Sequence, residues 1–582
     1  MRRKLKKYQA FVTKRPKLML EIGFFLLTLL VVCVSLSPVL RQAGWPQNHE
    51  GFAFIDRIAV YADHMRQGDL FPVWSSADGI GMGTPLPLFY HKLFYMVTGP
   101  VYMLSNSIKF TLIFGIGLFM TFGAYGLRQA VKKITPQTSI IFIAPQLFLL
   151  SNYTYTDWLV RGAMAEFSAL MVVPWLLYWC LILVVDRHFS LWIVPVLFVL
   201  YMAHNTMALY SLIPLTIAYA IFLTTQKKSN LPRIAKKSLL AVGLFVLLMT
   251  PQLVLQKAFI KDYNPSKVTQ SGFEASENFL PAKLYVYNGN YQWLERPQDI
   301  TVQVDIGTVI IICGGTAFLL VNLIGRRKKA FAWLRKQVAE RLIFVLFLPS
   351  TVFIVLQLHY VKQLYQHIGL LQYLQFPWRL LAFITPLSML VAVFVIIQTH
   401  NTRIATGLLF VWALPFLIFS PIWQQFQYGF ITPKMIEGVI AARPSGTGSS
   451  LMGIGEYLPR IYYDNKEVGT LDTLQLYADM YHQGRQTAVL EGNCTVTQTD
   501  RYRFEPLILR FKVTCEGPGV IALPISYNNF TQITSGSNPK KSLTYFRKPT
   551  DPRILMPISK CKDTIIDVKL PTIGRMIANQ ST

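Results

Sequence analysis

The sequence lacks the motifs of nucleotide-driven and hydrolytic enzymes. It has no GxxxxGK(S/T) phosphate-binding loop, no GxSxG nucleophile elbow and no HExxH zinc helix. The absence of a nucleotide-binding domain argues against an ATP-driven pump and against a transferase that uses a nucleotide-sugar directly. The sequence also lacks visible repeats, heptads and low-complexity tracts, which argues against a solenoid or a coiled coil.

Acidic residues are scarce, because 29 Asp and Glu stand against 56 Lys and Arg, giving a net charge of +27. This excess does not indicate nucleic-acid binding, since the basic clusters lie beside long apolar runs, as the positive-inside rule describes. The chain is 52% hydrophobic, and apolar runs near the length of a bilayer span recur from Leu18 to about Trp423. The sequence therefore predicts a polytopic α-helical membrane protein.

The basic clusters set the predicted topology. About eleven spans between residues 18 and 423 place every strong basic cluster, including the tail of residues 1–17, in the cytoplasm. The first apolar segment is too long for a removable signal peptide and lacks a cleavage site. We expect the chain in the cytoplasmic (inner) membrane, with outside loops at residues 41–108, 151–166, 257–303 and 358–380.

Two parts of the first outside loop are predicted to lie at the membrane interface. A full span at residues 86–105 would place the basic cluster around Arg128 outside, so this stretch is predicted to form one or two interfacial helices. The turn after Asp69 is predicted to anchor Trp74 at the same interface.

Residues 424–582 read as a small β-rich domain outside the cytoplasm. Alternating stretches such as Leu507–Val513 and turn signals such as Gly517–Gly519 indicate short strands. Cys494 and Cys515 fall in this tail and can form a disulfide if it occupies an oxidising compartment, whereas Cys561 is left over.

Glu50 is the first candidate for chemistry, since it follows the first apolar segment and places a carboxylate just outside the membrane. Its alternative is an ordinary solvated loop acid. His49 could tune Glu50 or bind a metal, but one His beside one Glu is a weak metal signal, so a divalent metal is a weakly supported option and no other cofactor is predicted. Asp56 and Arg57 would point apart on a helix and need separate partners.

Arg161 and Arg379 are candidates for binding a phosphate. A planar guanidinium suits phosphate oxygens, and charges at the edge of a span are costly unless paired or functional. A structural pair of Arg161 with Asp157 or Glu166 is the alternative for the first arginine. An interface anchor beside Trp378 is the alternative for the second.

Several ordered motifs resemble one bacterial family, the membrane proteins labelled 6-pyruvoyl-tetrahydropterin-synthase-related. The motifs are residues 50–58, 68–74, 83–90, 160–166, 376–379 and 456–459. By topology this family is similar to YfhO-like and wider GT-C glycosyltransferases, which use lipid-phosphate sugars and carry an acidic residue in the first outside loop. The chain has Glu50 where the family usually has Asp, and Phe54 where it often has His, which weakens the case for a metal.

The resemblance implies a GT-C-like domain at residues 18–423 and a membrane glycosyltransferase. A polyprenyl-phosphate sugar would be the donor, and a glycan or lipid-linked molecule the acceptor. Glu50 would be the general base, and Arg57, Arg161, Arg379, His49, Asp56 and Trp378 would bind the donor phosphate or the substrate. The alternatives are a transporter or flippase for a lipid-linked glycan and a non-catalytic partner in envelope assembly.

Overall fold

The structure of the protein is a computed structural model. It describes residues 16–48, 50–76, 78, 82–263, 275–279, 309, 312–317, 320–321, 337–418, 430–442, 487–503, 508–536, 538–548 and 551–569.

Helices form most of the described chain. In order they are α1 (Pro16–Ser35), α2 (Ser37–Leu40), α3 (Ala53–Arg66), α4 (Leu86–Phe89), α5 (Leu93–Ser105), α6 (Ile108–Ile134), α7 (Thr138–Leu149), α8 (Asn152–Tyr155), α9 (Met164–Leu181), α10 (Ile193–Ala203), α11 (Asn205–Tyr210), α12 (Leu212–Thr225), α13 (Leu231–Phe259), α14 (Val338–Val355), α15 (Lys362–His367), α16 (Gly369–Gln372), α17 (Leu381–Ile396), α18 (Thr402–Ile418) and α19 (Pro433–Ala442). Two π-helical segments, Thr156–Arg161 and Ile182–Asp186, flank α9. Short 3-10 turns are Lys228–Asn230, Ala275–Glu277, His359–Val361, Pro377–Leu380 and Ile397–Thr399.

Seven of the described helical segments are long and apolar enough to cross a membrane. They are Lys17–Ser35, Ile108–Ile134, Met164–Asp186, Asn205–Thr225, Lys228–Phe259, Val338–Val355 and Pro377–Thr399. Shorter apolar helices are Leu93–Ser105, Thr138–Leu149, Ile193–Ala203 and Thr402–Leu414. The prediction of a helical chain with several membrane-length apolar helices is confirmed. The count of eleven spans stays a prediction, and one of them, near residues 306–324, lies about half outside the described residues.

The described residues fall into two compact units. The helical unit comprises those of Met1–His49, Ile113–Phe245 and Ala275–Gly429, and the sheet unit comprises those of Glu50–Leu112, Val246–Glu274 and Phe430–Thr582. The β-rich tail therefore shares its unit with two earlier parts of the chain.

Small residues allow close helix packing in the helical unit. A Cβ atom on Gly123 of α6 would lie 2.6 Å from Met171 Sδ of α9, and one on Gly126 would lie 2.7 Å from the Trp175 indole. The Trp175 indole N–H donates to the Phe122 carbonyl at 2.9 Å, which links the two helices on an exposed face. Helix α9 is buried along almost its whole length.

The sheet unit contains two antiparallel sheets. Two short strands, β1 (Trp45–Pro46) and β2 (Phe430–Ile431), are not part of these sheets. The strands of the two sheets are β3 (Ala488–Glu491), β4 (Cys494–Arg503), β5 (Ile508–Cys515), β6 (Gly519–Ser526), β7 (Gln532–Ser535), β8 (Asn538–Ser542), β9 (Phe546–Lys548), β10 (Asp551–Ile558) and β11 (Cys561–Lys569). The first sheet has the order β3-β6-β10-β9, and the second has the order β4-β5-β11-β7-β8. The predicted β-containing C-terminal region is therefore confirmed.

Strands β5 and β6 supply much of the core of this unit. Strand β6 is buried on both faces from Ile521 to Ser526. Strand β5 alternates, with Leu509, Phe511, Val513 and Cys515 buried and the residues between them exposed or half-buried. Period-two burial is expected when one face of a sheet is covered. The disulfide predicted as an option is present between Cys494 and Cys515, with an S–S distance of 2.07 Å.

Trp74 lies in this core, and the prediction that it anchors at a membrane interface is wrong. Its indole lies 6.1 Å from the Phe259 ring and 5.9 Å from the Tyr263 ring, measured between centroids. Gly83 makes room for it, because a Cβ atom there would lie 2.3 Å from Trp74 Nε1. Gly83 also has a φ of +85°, which glycine adopts without strain.

Candidate functional site

Glu50 is held at the start of α3. Its carbonyl accepts from the Ala53 amide at 3.0 Å, and Gly51 makes the turn into the helix with a φ of +53°. The Arg57 Nη1 donates to Glu50 Oε2 at 3.2 Å. Glu50 precedes the helix, and the left-handed turn at Gly51 places its carboxylate beside Arg57 in the second turn of α3. The predicted base is therefore a fixed carboxylate with a cation beside it.

In the Glu50–Arg57 pair, the carboxylate is partly exposed to solvent and the guanidinium is largely buried. The Glu50 side chain is 30% exposed and that of Arg57 is 12% exposed. No other polar contact engages the Glu50 carboxylate among the described residues. The carboxylate can therefore accept a proton from a molecule that approaches its exposed side.

Aromatic residues hold Arg57 on its buried side. The Arg57 guanidinium carbon lies 3.9 Å from the centroid of the Tyr90 ring, a cation–π geometry, and Tyr95 is a hydrogen-bond partner. Burial alone would lower the pKa of Arg57, but Tyr90, Tyr95 and Glu50 together raise this pKa well above its ordinary value. Arg57 is therefore a permanent cation with little freedom to move.

Asp56 and His49 are the other predicted residues of this loop. Asp56 is buried and has interactions of its own, as expected for a helix neighbour of Arg57 that points elsewhere. His49 lies outside the described residues.

Lys92 is a polar residue of the sheet unit that the sequence interpretation did not single out. It is 4% exposed, and no carboxylate of the described residues forms an ion pair with it. Burial lowers the pKa of its ammonium to about 8. The charged form is disfavoured because the surroundings exclude water and, within the described part of the chain, supply no carboxylate. The available signal was a single lysine within the apolar stretch of residues 86–105.

A second polar pair in the sheet unit closes the end of α3. His64 Nδ1 lies 2.9 Å from Asp69 Oδ2, and both side chains are buried. The Asp69 amide donates to the His64 carbonyl at 3.0 Å, and Asp69 Oδ1 accepts from the Phe71 amide at 3.3 Å. Asp69 thus caps the segment that follows α3 and fixes the turn to Phe71, which is a structural role.

The helical unit contains a cluster of four charges, three of them buried and one half-buried. Arg161 Nη1 lies 2.9 Å from Asp157 Oδ1 and 2.9 Å from Glu166 Oε1. Arg379 Nε lies 3.2 Å from Glu166 Oε2. Two arginines and two carboxylates balance in charge, which lowers the free-energy cost of placing them in an apolar bundle. We call these four residues the Glu166 cluster.

The Tyr153 hydroxyl also donates to Glu166. Burial, followed by the charges of Glu166 and Asp157, raises the pKa of Tyr153 well above its ordinary value, so this hydroxyl keeps its proton. His204 has the opposite shift, since burial and then the charges of Arg379 and Arg161 lower its pKa well below its ordinary value. The imidazole next to the Glu166 cluster is therefore neutral.

Arg379 is fixed by further contacts of its own segment. Its Nη1 donates to the Leu374 carbonyl at 3.1 Å and to Gln375 Oε1 at 2.7 Å. Trp378 is buried and stacks on the Phe376 ring with 4.6 Å between centroids. Trp378 is thus packed inside the protein.

Gly162 lies against Asn48, a residue of the loop that follows the first apolar segment. Its φ is +70°, and a Cβ atom there would lie 2.4 Å from the Asn48 amide group. The motif that contains Arg161 therefore needs glycine next to the arginine, for both backbone conformation and space.

The Glu50–Arg57 pair and the Glu166 cluster offer different chemistry. The first has a partly exposed carboxylate that can exchange a proton, and the second is a closed, neutral assembly. Among the described residues, no group of three or more His, Cys, Asp or Glu side chains is arranged to hold a metal ion. Comparison of the chain with known protein families and with curated proteins finds no match.

Proposed function

We propose that the protein is an integral membrane glycosyltransferase of the GT-C type. It would transfer a sugar from a polyprenyl-phosphate donor to a cell-surface glycan or lipid-linked acceptor on the outer side of the cytoplasmic membrane. The observation that carries the proposal is the partly exposed Glu50 carboxylate fixed by Arg57. The apolar helices support a membrane-bound donor, and the motif series around Glu50 supports the reaction class.

Glu50 acts as the general base in this proposal. A polyprenyl phosphate is a good leaving group, so the reaction needs no strong acid, and a carboxylate suffices to take the proton of the acceptor hydroxyl. The Arg57 guanidinium orients the carboxylate, while the exposed side of Glu50 receives the acceptor.

Arg57 then positions Glu50 and does not bind the donor phosphate. An acceptor that displaces a leaving group attacks from the opposite face, so the base and the phosphate-binding cation should lie well apart. Arg57 Nη1 is only 3.2 Å from Glu50 Oε2. Lys92 is the better candidate for the phosphate, since its buried ammonium has no carboxylate partner among the described residues.

Arg161 and Arg379 have a supporting role in the proposal. Both guanidinium groups already contact Glu166, so binding a phosphate would require breaking that contact. We propose that they hold the segment Thr156–Arg161 and the turn Pro377–Leu380 in place through this shared carboxylate.

The sheet unit supplies the acceptor-binding surface in this proposal. The Cys494–Cys515 disulfide is expected in an oxidising compartment, which supports an extracytoplasmic location for the tail. A location on that side would bring the tail to a cell-surface glycan.

The test is the Glu50→Gln variant in membranes supplied with a labelled polyprenyl-phosphate sugar. Gln keeps the size of the side chain and removes the base, so transfer to the glycan should fall about 10²-fold to 10⁴-fold. Asp63→Asn is the matched control, because Asp63 lies on the same helix in an ion pair with Arg66 and is not assigned to the site.

Three results distinguish the alternatives. Loss of transfer in Glu50→Gln with normal transfer in Asp63→Asn supports the proposal. Wild-type transfer in Glu50→Gln at wild-type expression refutes it. Normal surface glycan in Glu50→Gln, combined with its loss on deletion of the tail, would indicate an assembly partner, and accumulation of the lipid-linked glycan on the inner leaflet would indicate a flippase.

A further inference from the structure

Three cysteines lie in one row across the second sheet of the sheet unit. In the register of this sheet, Cys494 of β4 is opposite Cys515 of β5, and Cys561 of β11 is also opposite Cys515. Strand β5 lies between the other two strands. Side chains directly opposite each other in antiparallel strands point to the same face, so all three sulfur atoms share one face.

Burial supports the same placement. Cys515 belongs to the buried core of the unit, and Cys494 and Cys561 pack against that core as partly buried residues. The Cys494–Cys515 pair is a disulfide with 4.1 Å between its Cα atoms, whereas Cys561 is a free thiol. The Cys561 Sγ lies 3.7 Å from the Val513 carbonyl oxygen, so the thiol already lies over β5.

We propose that this row is a thiol–disulfide exchange site in which the protein switches between two disulfides. The Cys561 thiol loses its proton to solvent, and its thiolate attacks Cys515 Sγ. The Cys515–Cys561 bond forms as the Cys494–Cys515 bond breaks, and Cys494 leaves as a thiolate that takes up a proton. The number of disulfides is unchanged, so no oxidant or reductant is needed.

The order of the row favours this exchange over attack on the other sulfur. Displacement at a disulfide sulfur needs the incoming and leaving sulfur atoms on opposite sides of the sulfur under attack. Cys515 lies between Cys494 and Cys561 in the register, so Cys561 approaches from the side away from Cys494. Opposite Cβ atoms lie about 4.5–5.5 Å apart, and a disulfide needs about 3.5–4.5 Å, so a small strand movement suffices.

The β11 strand is irregular at the position where this movement is needed. Its register with β5 shifts between Cys561 and Thr564, and Asp563 has a φ of +53°. Such bulges interrupt the hydrogen-bond ladder and let the strand bend locally. The exchange would move the covalent link from the edge strand β4 to the inner strand β11 and leave Cys494 as the reactive thiol.

The first experiment maps disulfides in the full-length wild-type protein in detergent. The protein is incubated at pH 8, quenched with acid, alkylated with N-ethylmaleimide and digested with chymotrypsin, which separates the three cysteines because Tyr, Phe and Leu lie between them. We expect both linked pairs, with Cys515–Cys561 in about one molecule in ten or more, as for two disulfides within tenfold in stability. Finding only Cys494–Cys515 would overturn the proposal.

Two variants test the direction of the exchange. Cys494→Ser should form the Cys515–Cys561 disulfide when isolated from an oxidising compartment, and Cys561→Ser should retain only Cys494–Cys515. If Cys494→Ser folds and keeps two free thiols, the site is refuted. If that variant does not fold, the wild-type map still decides, since it needs no substitution.

Discussion

Replacing the buried Glu166 with Gln should destabilise the protein more than the same kind of substitution at a carboxylate on the surface. Glu166 faces both Arg161 and Arg379, and the side chains of Arg161, Asp157 and Glu166 are at most 8% exposed. The substitution keeps the shape but leaves the buried Arg161 and the half-buried Arg379 with one carboxylate, that of Asp157, which contacts Arg161. Removing one partner of a buried ion pair typically costs about 3–5 kcal/mol, and we expect a loss in this range.

The assay is an unfolding titration with dodecyl sulfate in mixed micelles, read by tryptophan fluorescence. Asp186→Asn is the control, because Asp186 pairs with Lys133 on an exposed surface, where such a pair is worth about 0–1 kcal/mol. The double variant Glu166→Gln with Arg379→Gln restores charge balance, so it should cost about 0.5–3 kcal/mol less than the sum of its two single variants. A Glu166→Gln loss no larger than that of Asp186→Asn would refute the reasoning, as would strict additivity.

Two further predictions concern the sheet unit. Gly83→Ala should lower the free energy of unfolding by about 2 kcal/mol or more, because a Cβ atom would lie 2.3 Å from Trp74 Nε1 at a φ of +85°; Gly68→Ala, with a φ of +80° and open space, isolates the backbone strain and should cost less. Binding of polyprenyl phosphate should weaken above pH 8, because the pKa of Lys92 is lowered to about 8 and the ammonium is charged only below it. Lys92→Gln should bind weakly at every pH, and an unchanged pH profile in this variant would contradict the role of Lys92.

The sequence predicts the helices well because each apolar run carries its own signal. A run of about 20 apolar residues indicates a helix that is buried or spans a membrane. The described helices α6, α9 and α17 lie where such runs predict spans. The alternation of Leu507–Val513 likewise corresponds to strand β5 (Ile508–Cys515), since a half-buried strand imposes a period of two.

The contacts of the candidate sites were harder to predict from the sequence, because they join residues far apart in the chain. Arg379 and Glu166 are 213 residues apart, and no local periodicity connects them. Spacing left Arg161 with a structural or a phosphate-binding role, and the structure places it on Asp157 and Glu166. Trp74 followed an interfacial pattern, yet a core formed by much later strands covers it.

Glu50 and Glu166 illustrate how burial separates a functional carboxylate from a structural one. Each carboxylate contacts an arginine, so the presence of an ion pair does not distinguish them. Glu50 is 30% exposed with one arginine partner, whereas Glu166 is 2% exposed with two arginines and a tyrosine donor. A base must give and take a proton, and that requires access that Glu166 lacks. Glu50→Gln should therefore lower transfer by about 10²-fold to 10⁴-fold per folded molecule, whereas Glu166→Gln should reduce activity only as far as it reduces the amount of folded protein.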